Sequence, residues 1–309
     1  YIDEDGVDPD PIVFHVKLTV KEDEVFADYT GTSAQVRGSI NIHSVEGVAN
    51  VFSAIRLVTG LETPNNSGVF RPIHVYAPPG TVVSMVEPAS CGARGVTGFR
   101  LHDVWMGVLA KVVPDKAVAA NEGGTSTGRY GFVMPGGRYE VLYDNVYGSP
   151  GGRMDRDAYD GLGMGMTNAS IEVIESRYPI RILRYGFVPD TGGAGKYRGG
   201  LGIEREFRLL AEDATFQLRS DRTDCRPWGV QGGKPGTPTE NYLNPGTDHE
   251  EKLPGKTLRQ LKKGDLYRVV QAGAGGYGNP LERDMHAVAD DVEQEKLSVD
   301  YVRREYGVV

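Results

Sequence analysis

The sequence predicts an α+β protein: a β-rich, multi-stranded body with two buried helices in its first third and a helical C-terminal tail. Three observations carry this expectation. Short runs that alternate apolar and polar residues recur along the chain, as strands with one buried face do. Two stretches before residue 115 instead show the apolar spacing of a helix. Glycine makes up 42 of 309 residues, roughly twice its ordinary share of about 7%. The glycines fall between the strand-like runs, where turns and close backbone approach are needed.

Residues 13–20 and 24–29 alternate and are separated by a charged turn, and a loop follows over 30–41. Residues 46–59 place Val48, Val51, Phe52, Ile55, Leu57 and Val58 at near-helical spacing, and Gly60 is a suitable stop. Two further strands are expected at 72–77 and 81–86, joined by the turn Pro78-Pro79-Gly80. A second helix is expected over 97–113, with Phe99, Leu101, Val104, Trp105, Val108, Leu109 and Val112 apolar and Pro114 ending it. Its Trp105 is expected in the core. From residue 129 the chain turns strand-like, with candidates at 129–134, 138–146, 170–188, 203–210 and 213–219. Residues 223–264 read as a long, loop-dominated surface, 265–271 as one more strand, and 281–306 as a charged helical tail. The divisions expected are a mixed region over 1–115, a glycine-rich β region over 116–280 and the tail over 281–309.

Composition removes several function classes. The net charge is −8 and the basic residues are scattered, which argues against a nucleic-acid or anionic-membrane surface. No apolar stretch approaches the roughly 20 residues needed to cross a bilayer. The opening residues are acidic, with prolines at 9 and 11, and do not read as a signal peptide. Cys91 and Cys225 are too few for a disulfide framework, so a reducing cytoplasm is the expected location. The sequence opens on Tyr1 and enters a strand-like run almost at once, as a processed chain or one portion of a longer polypeptide does.

Most motifs that suggest chemistry fail on context. Gly273, Gly275 and Gly278 spell G-x-G-x-x-G, but the chain ends too soon afterwards for the helix, strand and acidic residue of a dinucleotide fold. A tight turn closing the β-rich region is the expected reading. Gly195-Lys196 and Gly255-Lys256-Thr257 lack the upstream glycine of a phosphate loop, having Asp190 and Glu250 there. The six histidines and two cysteines show no metal-ligand spacing.

Three segments remain. Cys91–Asp103 puts three glycines near Arg94 and Arg100 just before a helix, which suits a carboxylate or phosphate; pairing of Arg100 with Asp103 is the competing reading. Asn121-Glu122-Gly123-Gly124 places a carboxylate in a glycine-rich turn, where Glu122 serves either as a general base or as a turn cap, with Asn121 beside it. Arg219-Ser220-Asp221-Arg222 ends an apolar strand, and Arg219 and Arg222 are candidates for substrate or phosphate, against an intrachain ion-pair network.

Several ordered stretches resemble a known family. They are Asp28–Ser33 with Gln35–Gly38, Asn66–Ile73, Tyr178–Arg181 through Arg184-Tyr185, Asp190–Gly202, Pro227–Gly233, Asn244–Gly246 and Gly273–Gly278. In this order they resemble the hydantoinase B/oxoprolinase family, specifically the C-terminal half of its N-methylhydantoinase B-like members, which are related to acetone and acetophenone carboxylase subunits. The resemblance implies a subunit, or C-terminal portion, of an ATP-dependent cyclic-amide hydrolase that opens a small lactam ring through a phosphorylated intermediate. A subunit of an ATP-dependent ketone carboxylase and a non-catalytic scaffold of such a complex are the alternatives. It further implies ATP and Mg on a hydantoinase A-type partner subunit. A divalent metal such as Zn or Mn is implied in the N-terminal half of the B-type subunit, which has no counterpart here, so no metal ligand is carried over to this chain.

Overall fold

The computed structural model describes residues 1–60, 62, 64–123, 125–134, 136–162 and 169–307. Contacts divide the chain into two compact units, Tyr1–Val118 and Ala119–Val309.

In the first unit β1 (Lys17–Lys21) and β2 (Glu24–Asp28) form an antiparallel pair. Next come α1 (Ser44–Thr59), the short α2 (Ser67–Phe70) and β3 (Ile73–Tyr76), which joins β2 in parallel. The long helix α3 (Gly95–Leu109) packs on α1. Val51, Ala54 and Val58 of α1 are buried, as are Val96, Leu101, Trp105, Met106 and Leu109 of α3. Trp105 is fully buried; its Nε1 donates to the Tyr29 hydroxyl at 2.7 Å, and that hydroxyl donates to the Gly47 carbonyl at 3.0 Å. A polar chain thus crosses an apolar core with its donors satisfied. Gly60 ends α1 at a φ of 65°, as the sequence indicates.

Two expectations fail here. Residues 81–86 form a turn rather than a strand: Ser84 N–H donates to the Thr81 carbonyl, and Val82 and Val83 are both buried. Neighbouring residues cannot both face the core from a half-buried strand, so the apolar run misled. The helix expected to reach residue 113 stops at Leu109, and Val112 is exposed.

The second unit is a sandwich of two antiparallel sheets. Its elements are β4 (Thr125–Val133), β5 (Tyr139–Tyr147), α4 (Ile171–Arg177), β6 (Ile180–Val188), β7 (Gly202–Leu209) and β8 (Asp213–Arg219). Then come β9 (Glu240–Leu243), β10 (Glu251–Lys252), β11 (Lys256–Lys262), β12 (Leu266–Val270), α5 (Met285–Glu293) and α6 (Val299–Tyr306). One sheet runs β10-β9-β12-β7-β6 and the other β11-β8-β4-β5. Their inner faces share one core, with Tyr130, Phe132 and Phe216 from one sheet and Phe207, Tyr267 and Val269 from the other. Arg205 on β7 crosses this core to Asp144 on β5 at 2.5 Å, both buried, with the guanidinium over the Tyr185 ring.

The expected strand at 170–188 is two elements, because Ser170 accepts from Val173 N–H and caps α4 before β6 begins. The stretch expected as loop over 223–264 contains β11, a seven-residue strand. Its inward residues are Thr257, Arg259 and Leu261, so the apolar alternation that marks a strand is missing.

A large share of the glycine serves one feature. Extended segments over 119–122, 149–152, 191–202, 227–237 and 272–278 run side by side outside the strands, save for Gly202, which opens β7. The 272–278 segment is bonded to several neighbours at once. Gly275 N–H donates to Ala120 O, Ala274 N–H to Gly200 O and Gly276 N–H to Lys234 O, while Val230 N–H donates to Gly276 O. Backbones lie so close that a Cβ at Gly193, Gly199, Gly273, Gly275 or Gly276 would overlap a neighbouring main chain. The G-x-G-x-x-G stretch is therefore the buried centre of a glycine-packed layer, not a tight turn.

Helices α5 and α6 cover part of this layer. Arg283 donates to Asp157 at 2.6 and 2.7 Å and to Asp291 at 2.7 Å, and Arg198 donates to Asp160 at 2.9 Å. The Tyr301 hydroxyl donates to Gly192 O at 2.7 Å. Buried charges in such a network are each compensated, which is the condition for keeping them inside. Among the described residues no helix is long and apolar enough to cross a membrane.

Candidate functional site

Register brings four strand ends together in the second unit. Arg219 at the end of β8 pairs with Thr127 of β4 and with Lys256 at the start of β11, and Thr125 pairs with Tyr147 at the end of β5. The loop entering β4, Asn121–Gly123, therefore meets the loop leaving β8, Ser220–Arg226.

Arg222 ties the two loops. It sits at a φ of 72°, in the left-handed region, and is fully buried. Its Nε donates to Glu122 O at 3.1 Å and its Nη2 to Asn121 O at 2.9 Å. Nη1 donates to Cys225 O at 3.2 Å and Arg226 O at 3.4 Å. A guanidinium with its planar fork directed at four carbonyls fixes main chain. Glu122 is itself buried, its N–H donating to Ser149 O at 3.1 Å. Its side chain lies against Gly148, where a Cβ would overlap Glu122 Cγ. Gly123 follows at a φ of 94°.

Other buried polar groups gather at the same sheet end. Lys256 Nζ lies 3.8 Å from Asp221 Oδ1, both buried. The Ser220 hydroxyl accepts from Asn241 Nδ2 at 3.0 Å, and Asn241 Oδ1 accepts from the Tyr267 hydroxyl at 2.8 Å. Burial pushes the Tyr267 phenol well up, so it stays a neutral donor. Glu122, Asp221, Arg222 and Lys256 thus place two acidic and two basic side chains in one poorly solvated region. Such clusters mark functional sites more often than chance.

The structure brings together Asn121, Glu122 and Arg222 from the sequence candidates; Gly124 of that stretch lies outside the described residues. Arg219 faces outward on the sheet, beside Arg129. Burial, then the charge of Arg129, lowers the pKa of its guanidinium. Arg94 and Arg100 belong to α3 of the first unit. Arg94 Nε is 3.7 Å from Glu46 Oε2, and the Glu46 carboxyl is raised by burial, with Arg94 opposing. Arg100 is buried and 3.6 Å from Asp103 Oδ2, the i,i+3 pairing that competed with anion binding.

Sequence reasoning missed the Asp221–Lys256 pair and the Ser220–Asn241–Tyr267 chain. Lys256 carried a signal only as a failed phosphate loop, and strand register alone sets it beside β8. Among the described residues no group of three or more His, Cys, Asp or Glu is placed to hold a metal ion.

The family model for hydantoinase B/oxoprolinase matches residues 1–280. An uncharacterized protein of Methanocaldococcus jannaschii is 37% identical over 303 residues, 96% of this chain and 52% of its own length. The B-type subunit of a putative D-/L-hydantoinase from Pseudomonas sp. (strain NS671) is 34% identical over 325 residues, covering 100% of this chain and 54% of that protein. The crystal structure of an ATP-dependent caprolactamase from Pseudomonas jessenii superposes with a TM-score of 0.86 at 26% identity, covering 96% of this chain and 53% of that one. The chain spans about half the length of these two curated relatives.

Proposed function

The chain belongs to the hydantoinase B/oxoprolinase family, and on that premise we propose that it is a subunit, or the C-terminal portion of one, of an ATP-dependent cyclic-amide hydrolase of the hydantoinase type. The observation that carries this reading is the similarity along the whole chain to the B-type subunit of a putative hydantoinase, supported by the fold shared with an ATP-dependent caprolactamase. Both relatives are named for cyclic amides.

An unactivated lactam carbonyl is a poor electrophile, and transfer of a phosphoryl group to its oxygen turns that oxygen into a leaving group. The ring opened here is a small lactam, by way of that phosphorylated intermediate. ATP and Mg belong to a hydantoinase A-type partner subunit, and a Zn or Mn ion to the N-terminal half of the B-type subunit. The described residues of this chain do not fit a metal, so no step is assigned to one here. Within this chain Glu122 is the candidate general base, and Asn121 beside it the candidate hydrogen-bonding contact to substrate. Arg222 is a positioning residue, because its donors are directed at the carbonyls of the loop that carries both. A dry site is needed to keep a labile phosphorylated species from bulk water. The assembled enzyme works in the cytoplasm.

The test is phosphate release by the complex purified natively around this chain, comparing hydantoins and lactams with small ketones, each with and without bicarbonate. Release driven by a cyclic amide and indifferent to bicarbonate is expected. Release that needs both a ketone and bicarbonate overturns the hydrolase reading for a carboxylase. Full activity of a complex carrying Asn121→Ala and Glu122→Ala together leaves the chain a scaffold.

A further inference from the structure

Apart from Lys256 at one end, the outer face of the four-stranded sheet has no role in the site just described, and its composition is unusual for a solvent face. Tyr139, Val141 and Tyr143 on β5, Val133 on β4 and Leu258 on β11 are 49–63% exposed. Register sets them in rows: Leu258, Gln217, Arg129 and Tyr143 lie across one, and Gln260, Thr215, Gly131 and Val141 across the next. Gly131 leaves room for the Tyr139 ring to lie over β4, since a Cβ there would overlap the Tyr139 hydroxyl.

Two arginines stand in the middle of this apolar and aromatic surface. Arg129 is held flat, its Cζ 4.3 Å from the Tyr143 ring centre, donating to the Tyr143 hydroxyl at 3.0 Å and to Gln217 Oε1 at 3.4 Å. It makes no ion pair with a carboxylate among the described residues, and its Nε is buried without a hydrogen-bond partner. Arg219 is its diagonal neighbour on the adjacent strand, two positions along from Gln217. Like charges set this close on one sheet face repel, and the lowered pKa of Arg219 reports that repulsion in part. The row that holds Arg129 and the next, with Thr215 and Val141, contain no Asp or Glu, while Arg219 lies one row further along, beside Lys256.

We infer that the outer face of β11-β8-β4-β5 docks a partner polypeptide whose contact segment carries a carboxylate, Asp or Glu, flanked by apolar side chains. The carboxylate seats against Arg129 and Arg219, and the flanking residues cover Tyr139, Val141 and Tyr143. Charge complementarity selects this occupant. A carboxylate between two arginines removes their repulsion and accepts from a donor that is otherwise unmet. Tyrosine and arginine at the centre of an exposed apolar patch are also the residues that carry binding energy in protein interfaces. Small anions suit the site less, because the patch extends well beyond two guanidinium groups and lies on a sheet face. The inference rests on the proposed assembly, though not on the reaction assigned to it.

The test uses the natively purified complex and two variants, Arg129→Glu and Val141→Glu, each first shown to keep the wild-type melting temperature as a free chain. Affinity of the chain for the remaining subunits is read by sedimentation at two salt concentrations. We expect each variant to weaken assembly at least 30-fold, with the wild type losing affinity as salt rises. Radical footprinting should show Tyr139 and Tyr143 shielded in the complex and open in the free chain. The inference is overturned if both variants assemble with unchanged affinity, if the tyrosines stay open in the complex, or if native purification yields the chain with no partner bound. It is also overturned if millimolar phosphate or acetate stabilises the free chain in an Arg129-dependent way, which would make this a small-anion site. Phosphate release is measured on the same samples. Shielded tyrosines with no cyclic-amide-driven release sink the reaction and spare the docking face; the reverse pattern does the opposite.

Discussion

Replacing Gly195 by alanine tests the glycine layer directly. An added Cβ would sit 2.6 Å from Tyr277 O, 2.7 Å from Tyr197 O and 2.7 Å from Tyr277 N. An ordinary contact is about 3.5 Å, so the closest of these is short by roughly 0.9 Å. All three atoms are main chain, so no side chain can rotate away. Relief requires the 191–202 and 272–278 segments to part, and they are joined by reciprocal bonds between Tyr197 and Tyr277 of 2.9 Å each. Overpacking alone costs about 1–3 kcal/mol, and two weakened hydrogen bonds add roughly 0.5–1.5 kcal/mol apiece. The expected loss is thus about 2–6 kcal/mol. The control is Gly186→Ala on β6, where nothing lies within 4 Å of the new Cβ; it should change stability by less than about 0.5 kcal/mol. Urea melts followed by Trp228 emission in a Trp105→Phe background give both values from the midpoint and slope. If Gly195→Ala falls within about 1 kcal/mol of its parent, the layer has room to relax and the packing argument is wrong.

Trp105→Ala should cost about 3–5 kcal/mol, since the ring is fully buried and hydrogen-bonded; a loss below about 1 kcal/mol in a urea melt would contradict that placement. Glu122→Gln in the assembled enzyme should lower kcat by about 100-fold with little change in KM if the carboxylate acts as a base, and retention of kcat within threefold removes it from the chemistry. Arg222→Lys should lower kcat through loss of the loop geometry while leaving the pH profile of the remaining activity unmoved; an altered profile would give Arg222 a direct electrostatic role. At Asp157 burial raises the carboxyl, but the Arg283 pair and Arg198 outweigh it, and at Asp160 Arg198 and Lys296 do the same, so both lie below the usual carboxylate range. Groups depressed on folding stabilise above their unfolded pKa, about 4, and that stability fades as pH falls through the folded value. Hydrogen exchange of α5 and α6 should therefore quicken below about pH 4, and Arg283→Gln should move that limb to higher pH. A limb that does not move would place the anchoring elsewhere.

Much of the strand and helix content was legible because one-sided burial leaves a period in the sequence. β8 runs over 213–219 as its alternating Ala214, Phe216 and Leu218 require, and α1 ends at Gly60 as its left-handed cap requires. Where burial is two-sided or polar the period fails, which is why Val82-Val83 passed for a strand and β11 passed for loop. The Asn121–Glu122 stretch was visible as a carboxylate in a glycine turn. Its partnership with Arg222 was not, since the guanidinium bonds to carbonyls, which every residue carries.

The sequence by itself determined the α+β class, the family and the abundance of glycine, because each is written in local pattern or in ordered motifs. Only the tertiary structure decided what the glycines do and which charges meet. Gly273, Gly275 and Gly276 are set against backbone from four distant segments, and Lys256 reaches Asp221 through the register of β11 on β8. Contacts of that kind depend on the absence of a side chain or on distances between strands, and neither leaves a trace in the spacing of residues along one chain.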